Sequence, residues 1–383
     1  MPEAVIVAAG RSPIGRAYKG SLATTRPDDM AGYIVKKVLE KVPEIPLDSI
    51  QDLITGCGFP QGETGMNVGR LIVLLAGLPD TVPGTTVNRF CASSLQSIRM
   101  AFHAIKAGEG DTYIAAGVES VSRVKTMPDG EDINPRLFGP DAIAEAYIPM
   151  GMTAENVAEK FGVSREDMDE FALSSQQKAG RARDEGIFAR EIIPVTTPEG
   201  NVVSQDDGIR ADTTLEKLAS LQPVFKEGGK VTAGNSCPLN DGAAAVVVMS
   251  EERARELGLK PLARIIASSV SGIDPAIMGV GPIEACRRVF KQTGMSVNDI
   301  DVIELNEAFA SQVLAVSREL EWDMDKLNPH GGAIALGHPY GMTGARIMTT
   351  MLNDLVTLDK TYGLETMCVG GGQGMAMIVE RLS

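Results

Sequence analysis

The sequence predicts an α/β protein with a mostly parallel, covered sheet in which one α/β unit is used twice. Three observations carry this reading. Short β-type runs alternate with helical patterns, as in AVIVAA, DDMAGYIVKKVLEKV and IQDLITGC, which is how strands joined by crossover helices read. A similar order of pieces returns roughly 250 residues later, where LDSIQDLITGCGF (47–59) finds an echo in VNDIDVIELNEAF (297–309). TVNRFCASS around Cys91 then corresponds to LNPHGGAIA around Gly331, and DTYIAAGVES (111–120) to YGLETMCVGGG (362–372). Third, the segment between the two halves repeats nothing, and long excursions inside a compact domain usually carry function. The expected organisation is a first half over 1–120 that resumes at about 241–262, an inserted domain over 121–240, and a second half over 263–383.

Within the first half, the β-branched Thr85, Thr86 and Val87 favour a strand, and Leu95, Ile98 and Phe102 recur at the spacing of one apolar helix face. In the insertion, VKTMPDGEDINPRLFGP (124–140) reads as loop. Ser164 with Asp167 then forms a capping-box pattern that opens a helix whose inner face is Met168, Phe171, Ala172, Ser175 and Ala179.

Bulk composition narrows the function. The chain has 383 residues, 44% hydrophobic and 22% charged, with 41 glycines that point to tight turns and close backbone approaches. A formal charge of −14 argues against nucleic acid or an anionic membrane as partner, because phosphate binding needs a basic face. The longest apolar runs, 71–78 and 243–249, fall far short of the roughly 18 residues that cross a bilayer. MPEAVIVAAGRSPIG has no basic stretch before its apolar run and ERLS is not a peroxisomal tripeptide, so a cytoplasmic location is expected. Five cysteines without a CxxC form neither a disulfide framework nor a zinc site, and no metal is expected.

Cys91 falls at or just before the first turn of a helix, where unpaired N–H groups and the helix dipole stabilise an anion. Its thiol is therefore expected to be more acidic than the reference value of about 8.5, a nucleophile in waiting, unless it is only a small core residue. Three histidines compete for the role of base. His103 lies too far along the helix after Cys91 to return to it. His330 and His338 lie in the glycine-rich NPHGGAIALGHPYGMTGAR, and Pro339 biases His338 towards an extended, fixed conformation. MCVGGGQG (367–374) places Cys368 before three glycines; it lacks the lysine of a phosphate loop and reads by itself as a turn. NEAFA (306–310) offers Asn306 and Glu307 after a strand, a pair that is also a common helix cap.

Taken together, VNRFCASSLQ, NEAFA, NPHGGAIALGHPYGMTGAR and CVGGGQG, in that order, resemble the signature blocks of the thiolases, the acetyl-CoA C-acyltransferases. TAENVAEKFGVSREDMDEFA and KVTAGNSCPLNDGAAAVVVMSE extend the resemblance over nearly the whole chain. It implies two βαβαβαββ halves in a five-layered αβαβα core with an inserted loop domain, assembled as a homodimer or homotetramer. It also implies roles. Cys91 matches the acylated nucleophile, His338 the activating base and Cys368 the second acid/base cysteine. Asn306 matches the residue that holds a water in one oxyanion hole, and the backbone N–H groups of Cys91 and Gly370 match the other. Arg210, Met150, Ala233 and Cys237 match coenzyme A contacts, Arg210 at the adenine-nucleotide end. Coenzyme A is implied as co-substrate, with no covalently bound cofactor, and acyl-CoA as the partner molecule.

The implied reaction is thiolysis of a 3-oxoacyl-CoA in fatty-acid β-oxidation, possible in reverse as a Claisen condensation, and β-oxidation enzymes are conceivable protein partners. The alternatives are a biosynthetic acetoacetyl-CoA thiolase, a ketoacyl-synthase-like condensing enzyme, which typically uses one cysteine and two histidines, a cysteine hydrolase and a non-catalytic CoA or lipid carrier. Two thiols with separate roles imply different protonation states. His330 stands where relatives commonly have Asn, Pro149 where short-chain biosynthetic relatives have His, and Cys237 where Ser is usual. Chain-length preference hangs on these departures.

Overall fold

The computed structural model describes residues 2–126, 132–139 and 141–383; of the expected loop over 124–140, residues 127–131 and 140 lie outside the described residues. The first half runs β1 (Ala4–Arg11), β2 (Gly15–Arg16), α1 (Pro27–Leu39), β3 (Asp52–Gly56), α2 (Val68–Leu75), β4 (Gly84–Val87), α3 (Ser93–Ala107) and β5 (Thr112–Ser120). The intervening segment contains α4 (Met150–Lys160), α5 (Arg165–Asp184), β6 (Val195–Thr196), β7 (Val202–Val203) and α6 (Leu215–Ala219). The chain then returns through β8 (Asn240–Ser250) and α7 (Glu251–Glu256). The second half follows as β9 (Ala263–Gly272), α8 (Gly281–Thr293), β10 (Val302–Leu305), α9 (Ala310–Glu319), α10 (Ala333–Leu336), α11 (Thr343–Thr357), β11 (Tyr362–Val369) and β12 (Gln373–Arg381).

The strands order as β4-β3-β5-β8-β1 in the first half and β9-β12-β11-β10 in the second, joined where Val5 and Ile6 of β1 pair with Arg264 and Ala263 of β9. The sheet is mixed rather than mostly parallel. β3 runs parallel to β4 and β5, and β10 to β11, but β8 lies antiparallel to β5 and β12 to β11. The alternation of strand and helix that suggested a parallel sheet stops at these closing strands: β12 follows β11 through a glycine turn, and β8 follows the insertion.

Three apolar clusters define the layers. One lies between the sheets and takes Leu95, Ile98 and Ile105 of α3 together with Ile347, Met348 and Met351 of α11. A second packs α1 and α2, through Met30, Ile34 and Ile72, on the outer face of the first sheet. A third packs Cys286 and Val289 of α8 and Val313 of α9 on the outer face of the second. The order helix, sheet, helix, sheet, helix is the expected five-layered core. In the insertion, Ser164 Oγ accepts the N–H of Asp167 (3.0 Å) and opens α5, as the capping pattern predicts.

The echo between the halves holds for its first and last members: a one-turn 3-10 segment leads into a strand at Leu47–Ser49 and again at Val297–Asp299, and β5 and β11 are both flanked by a parallel and an antiparallel neighbour. Its middle member is displaced. The segment around Gly331 leads into the short α10, and it is Tyr340–Met342, a one-turn 3-10 segment, that opens α11 as Phe90–Ala92 opens α3. Among the described residues no helix is long and apolar enough to cross a membrane.

Candidate active site

β4 delivers the chain to the turn Phe90–Ala92, and α3 leaves it. Phe90 is held at φ +42°, an unusual conformation for a side chain with a Cβ. Asn88 Oδ1 accepts the N–H of Phe90 (2.7 Å), and Ser93 Oγ accepts the N–H of Arg89 (2.9 Å) and donates to Phe90 O (2.6 Å). These bonds offset the strain and fix Cys91 in the middle of the turn.

The Cys91 thiol departs from the sequence expectation. It is buried, and burial pushes it up to about 11; the N–H groups of Gly370 and of Cys91 itself, which hydrogen-bond its sulfur, pull the other way without winning. A local reading of the helix start captures the N–H donors and omits the apolar walls that the other half supplies. At rest the thiol is protonated.

His338 lies in the loop between α10 and the turn before α11, 1% exposed. Its backbone N–H donates to Asn240 Oδ1 (2.9 Å). The Thr343 hydroxyl donates to Pro339 O (2.8 Å), so it accepts from His338 Nδ1 (2.7 Å), which must carry the proton. Nε2 then presents its lone pair and meets Asn306 Nδ2 at 3.3 Å. Burial, and next the charge of Arg346, lower this imidazole to about 3, so it is neutral at physiological pH. A neutral imidazole of fixed tautomer can accept a proton from a thiol.

Cys368 ends β11, fully buried among Met278, Ala308, Phe309 and, at the margin, Met150. Burial first, and then the neighbouring sulfurs of Cys91 and Cys237, hold its thiol well above the ordinary value. Both thiols are therefore raised, so the structure at rest shows no difference in protonation between them. What differs is the donor pair facing Cys91. A Cβ built on Gly370 would lie 3.5 Å from the Phe90 ring and 3.8 Å from Met150 Sδ, so the glycine turn after β11 closes over the Cys91 turn and the start of α4. Pro149 immediately precedes that helix. Asn306 is fully buried and its Oδ1 has no hydrogen-bond partner within the protein. Its neighbour Glu307 is a scaffold residue that accepts from Ser175 Oγ (2.6 Å), Asn328 Nδ2 (2.8 Å) and Ile334 N (3.1 Å).

A pocket of about 630 Å³ opens beside this cluster, lined by Arg16, Lys19, Arg210, Lys217, Ala233 and Cys237 among others. Arg210, Ala233 and Cys237 thus meet in one cavity, whereas Met150 belongs with Cys368 and Gly370. Cys237 joins the two: half-buried, it lines the pocket, its N–H donates to Ala308 O (3.0 Å), and burial with the nearby Cys91 sulfur raises its thiol. His103 is exposed on α3, away from this cluster, and His330 pairs through Nδ1 with the buried Asp354 at 2.5 Å. All five cysteines are unpaired.

Sequence reasoning missed Thr343, Asn240 and Glu119. Thr343 and Asn240 carry no local signal. Glu119, an acid ending the otherwise apolar run YIAAGVE, is the one residue whose presence in a buried strand could have been noticed.

Comparison with known proteins agrees with this geometry. Residues 4–252 match the family described as thiolase, N-terminal domain, and residues 259–381 match thiolase, C-terminal domain. A 3-ketoacyl-CoA thiolase of Bacillus subtilis is 47% identical, with 99% of this chain and 100% of the relative covered. A beta-ketoadipyl-CoA thiolase of Acinetobacter baylyi is also 47% identical, with 100% of each covered. Among solved structures, an acetyl-CoA acetyltransferase of Bacillus anthracis superposes with a TM-score of 0.92 at 40% identity, over 100% of this chain and 99% of that one. The human mitochondrial 3-ketoacyl-CoA thiolase in complex with CoA gives 0.91 at 37% identity, over 99% and 98%. By fold and by sequence, this chain belongs to the thiolase family.

Proposed function

We propose that the protein cleaves a 3-oxoacyl-CoA with coenzyme A to acetyl-CoA and a shortened acyl-CoA, and that the reaction serves fatty-acid β-oxidation. The observation that carries this is the fixed tautomer of His338, whose unprotonated Nε2 faces Asn306 Nδ2, in the cluster that also holds Cys91, Cys368 and Asn306. As substrate binds, Nε2 takes the Cys91 proton and the sulfur attacks the 3-keto carbon. The resulting alkoxide collapses, the C2–C3 bond breaks, and Cys368 donates its proton to C2 of the departing enolate. The Cys368 thiolate then takes the proton of an incoming CoA thiol. The CoA sulfur attacks the acyl–Cys91 thioester, Cys91 leaves, and His338 returns its proton. In this assignment the N–H groups of Cys91 and Gly370 stabilise one oxyanion, and Asn306, whose Oδ1 lacks a protein partner, holds a water for the other.

The rest of the proposal rests on further observations. Arg210, Ala233 and Cys237 line the pocket that takes CoA as a co-substrate, within an inserted domain at 121–240, and Met150 flanks the acyl end. Homo-oligomerisation fits an edge strand, β4, with Leu74, Leu75 and Met100 exposed on the helices packed against it. Unpaired thiols at the reacting centre fit a reducing, cytoplasmic setting. The test is incubation with 3-oxoacyl-CoA without free CoA, with the adduct mapped by mass spectrometry, followed by thiolysis rates across acyl lengths and for 3-oxoadipyl-CoA. Acyl on Cys91 is expected; an adduct on Cys368 alone overturns the assignment. Preference for acetoacetyl-CoA, or for 3-oxoadipyl-CoA, overturns the β-oxidation reading while leaving thiolysis intact.

A further inference from the structure

Glu119 is the next-to-last residue of β5 and has no solvent exposure. Its Oε2 accepts the N–H groups of Gly58 (2.8 Å) and Gly341 (2.9 Å), its Oε1 accepts that of Phe59 (3.3 Å), and the Cys57 sulfur lies 3.7 Å from Oε1. Gly58 and Phe59 belong to the loop after β3 in the first half, whereas Gly341 is the middle of the turn that follows His338 in the second. From Gly58 the connection continues towards Cys91. Gly58 O accepts from Asn88 Nδ2 (2.9 Å), and Asn88 Oδ1 accepts the N–H of Phe90, whose φ of +42° aims the next residue, Cys91. Aromatic contacts follow the same route, Phe90 to Phe59 at 6.0 Å, Phe59 to Tyr340 at 5.6 Å and Tyr340 to His338 at 5.1 Å. The backbones close tightly on the carboxylate: a Cβ on Gly341 would stand 2.4 Å from Val118 O, and one on Gly58 2.7 Å from Glu119 Oε2.

We infer that Glu119 is a positioning residue for the reacting pair, a single buried carboxylate that holds the turn carrying Cys91 and the loop carrying His338 in one fixed relation. The inference rests on the proposed roles of Cys91 as nucleophile and His338 as base. The ionised carboxylate suits these neighbours best, because three N–H groups point at its two oxygens; an amide in its place turns a donor towards an N–H, and protonation weakens the acceptors. Burial raises its carboxyl to about 7 against the pull of the Gly341, Gly58 and Phe59 N–H groups. The titratable groups facing it are Cys57 from the end of β3, Cys91 from the turn before α3 and Tyr340 from the turn before α11. On β8, Asp241 is engaged by Ser120 and Ser122 instead. As pH falls through about 7 the carboxylate gains a proton, its hydrogen bonds from the three N–H groups weaken, and the alignment loosens. Burial lowers the imidazole of His338 to about 3, so the proposed base does not itself produce an acid limb near neutrality.

The experiment compares Glu119→Gln, Asn88→Ala and the wild type in thiolysis and in alkylation of Cys91 by iodoacetamide, from pH 5.5 to 8.5. Asn88 is exposed, so its alanine variant tests the connection to Cys91 even where Glu119→Gln fails to fold. For Glu119→Gln we expect kcat to fall about tenfold to a hundredfold with KM within twofold, as for a small misplacement of reacting groups. Alkylation slows in parallel, and the wild-type acid limb near pH 7 disappears. Asn88→Ala lowers kcat and alkylation in the same direction and retains that limb. A Glu119→Gln enzyme that loses only thermal stability, with normal kcat, alkylation and acid limb, overturns the inference; so does an Asn88→Ala enzyme with unchanged alkylation. Failure of the underlying reading would show differently, as turnover surviving in Cys91→Ala.

Discussion

The turn at Phe90–Ala92 and the turn at Tyr340–Met342 are two versions of one device. Each opens the central helix of its half, and each packs on an interior strand of the other half, the first against β11 and the second against β5. Cys91 occupies the middle of one and Gly341 the middle of the other. In the first, two N–H groups face a sulfur, and the glycine turn after β11 leaves space beside it. In the second, the N–H of the middle residue is taken by Glu119, and no room remains for even a methyl group. The fold therefore offers two equivalent crevices at its pseudo-symmetric centre. In the proposed roles the open one, lined with donors, is the reactive one, and the other, closed by a carboxylate, is the clamp.

The sharpest way to break this comparison is to place the same residue in both turns. Cys91→Ala removes the proposed nucleophile and little else, so turnover should fall by about 10⁴-fold or more, about 5.5 kcal/mol of barrier, while the denaturation midpoint hardly moves. Gly341→Ala should do the reverse in kind, because its Cβ must displace backbone at Val118 and Cys57. A loss of about 3 kcal/mol in urea denaturation is expected. Equal stability losses in both variants would mean that the turns are not functionally different.

Cys368→Ala tests the wall of the open crevice. Turnover should fall by about 10²-fold, as for loss of a general acid/base, with acyl–Cys91 still detectable after slow reaction. Near-normal turnover would reduce Cys368 to a core residue at the end of β11.

A smaller effect is expected at Thr343, which fixes the histidine. Thr343→Val leaves His338 Nδ1–H without its acceptor in a buried place, which costs about 1–3 kcal/mol or rotates the ring. Turnover should drop by about tenfold and alkylation of Cys91 should slow, less than in His338→Ala. Unchanged alkylation in both variants would remove His338 as the activating base.

The open crevice was more legible in the sequence than the closed one, for a physical reason. Cys91, His338 and Cys368 each sit where local rules mark a special position: a strand-to-helix junction, a residue before proline, a residue before three glycines. Glu119 meets Gly341 across 222 residues, and nothing within either segment announces that contact. The same limit explains the thiol acidity. The N–H donors at Cys91 were readable because they are local, whereas the burial that outweighs them comes from β11, the turn before α11 and other distant segments. Local apolar periodicity likewise gave α3 and α5, but the antiparallel closing strands depend on which neighbours they find.

If chemistry is confined to the open crevice, binding groups outside it should change affinity alone, and Arg210 tests that boundary with the smallest effect. A chain of net charge −14 repels an anionic ligand at long range, so attraction has to be local, and Arg210 lines the pocket with Arg16, Lys19 and Lys217. Lys217 is already engaged by Asp212 at 2.9 Å, and the Arg210 side chain is exposed at the pocket wall. A contact there, remote from Cys91, is equal in ground and transition states, so Arg210→Ala should raise KM for CoA and acyl-CoA by about three- to tenfold with kcat nearly unchanged. Arg210→Lys should recover part of that, since an ammonium restores charge but not a planar stacking surface. The difference between arginine and alanine should shrink at high salt, where screening weakens an exposed contact. KM unchanged in both variants would place CoA elsewhere; a fall in kcat equal to the rise in KM would mean that the boundary between binding and chemistry is drawn in the wrong place.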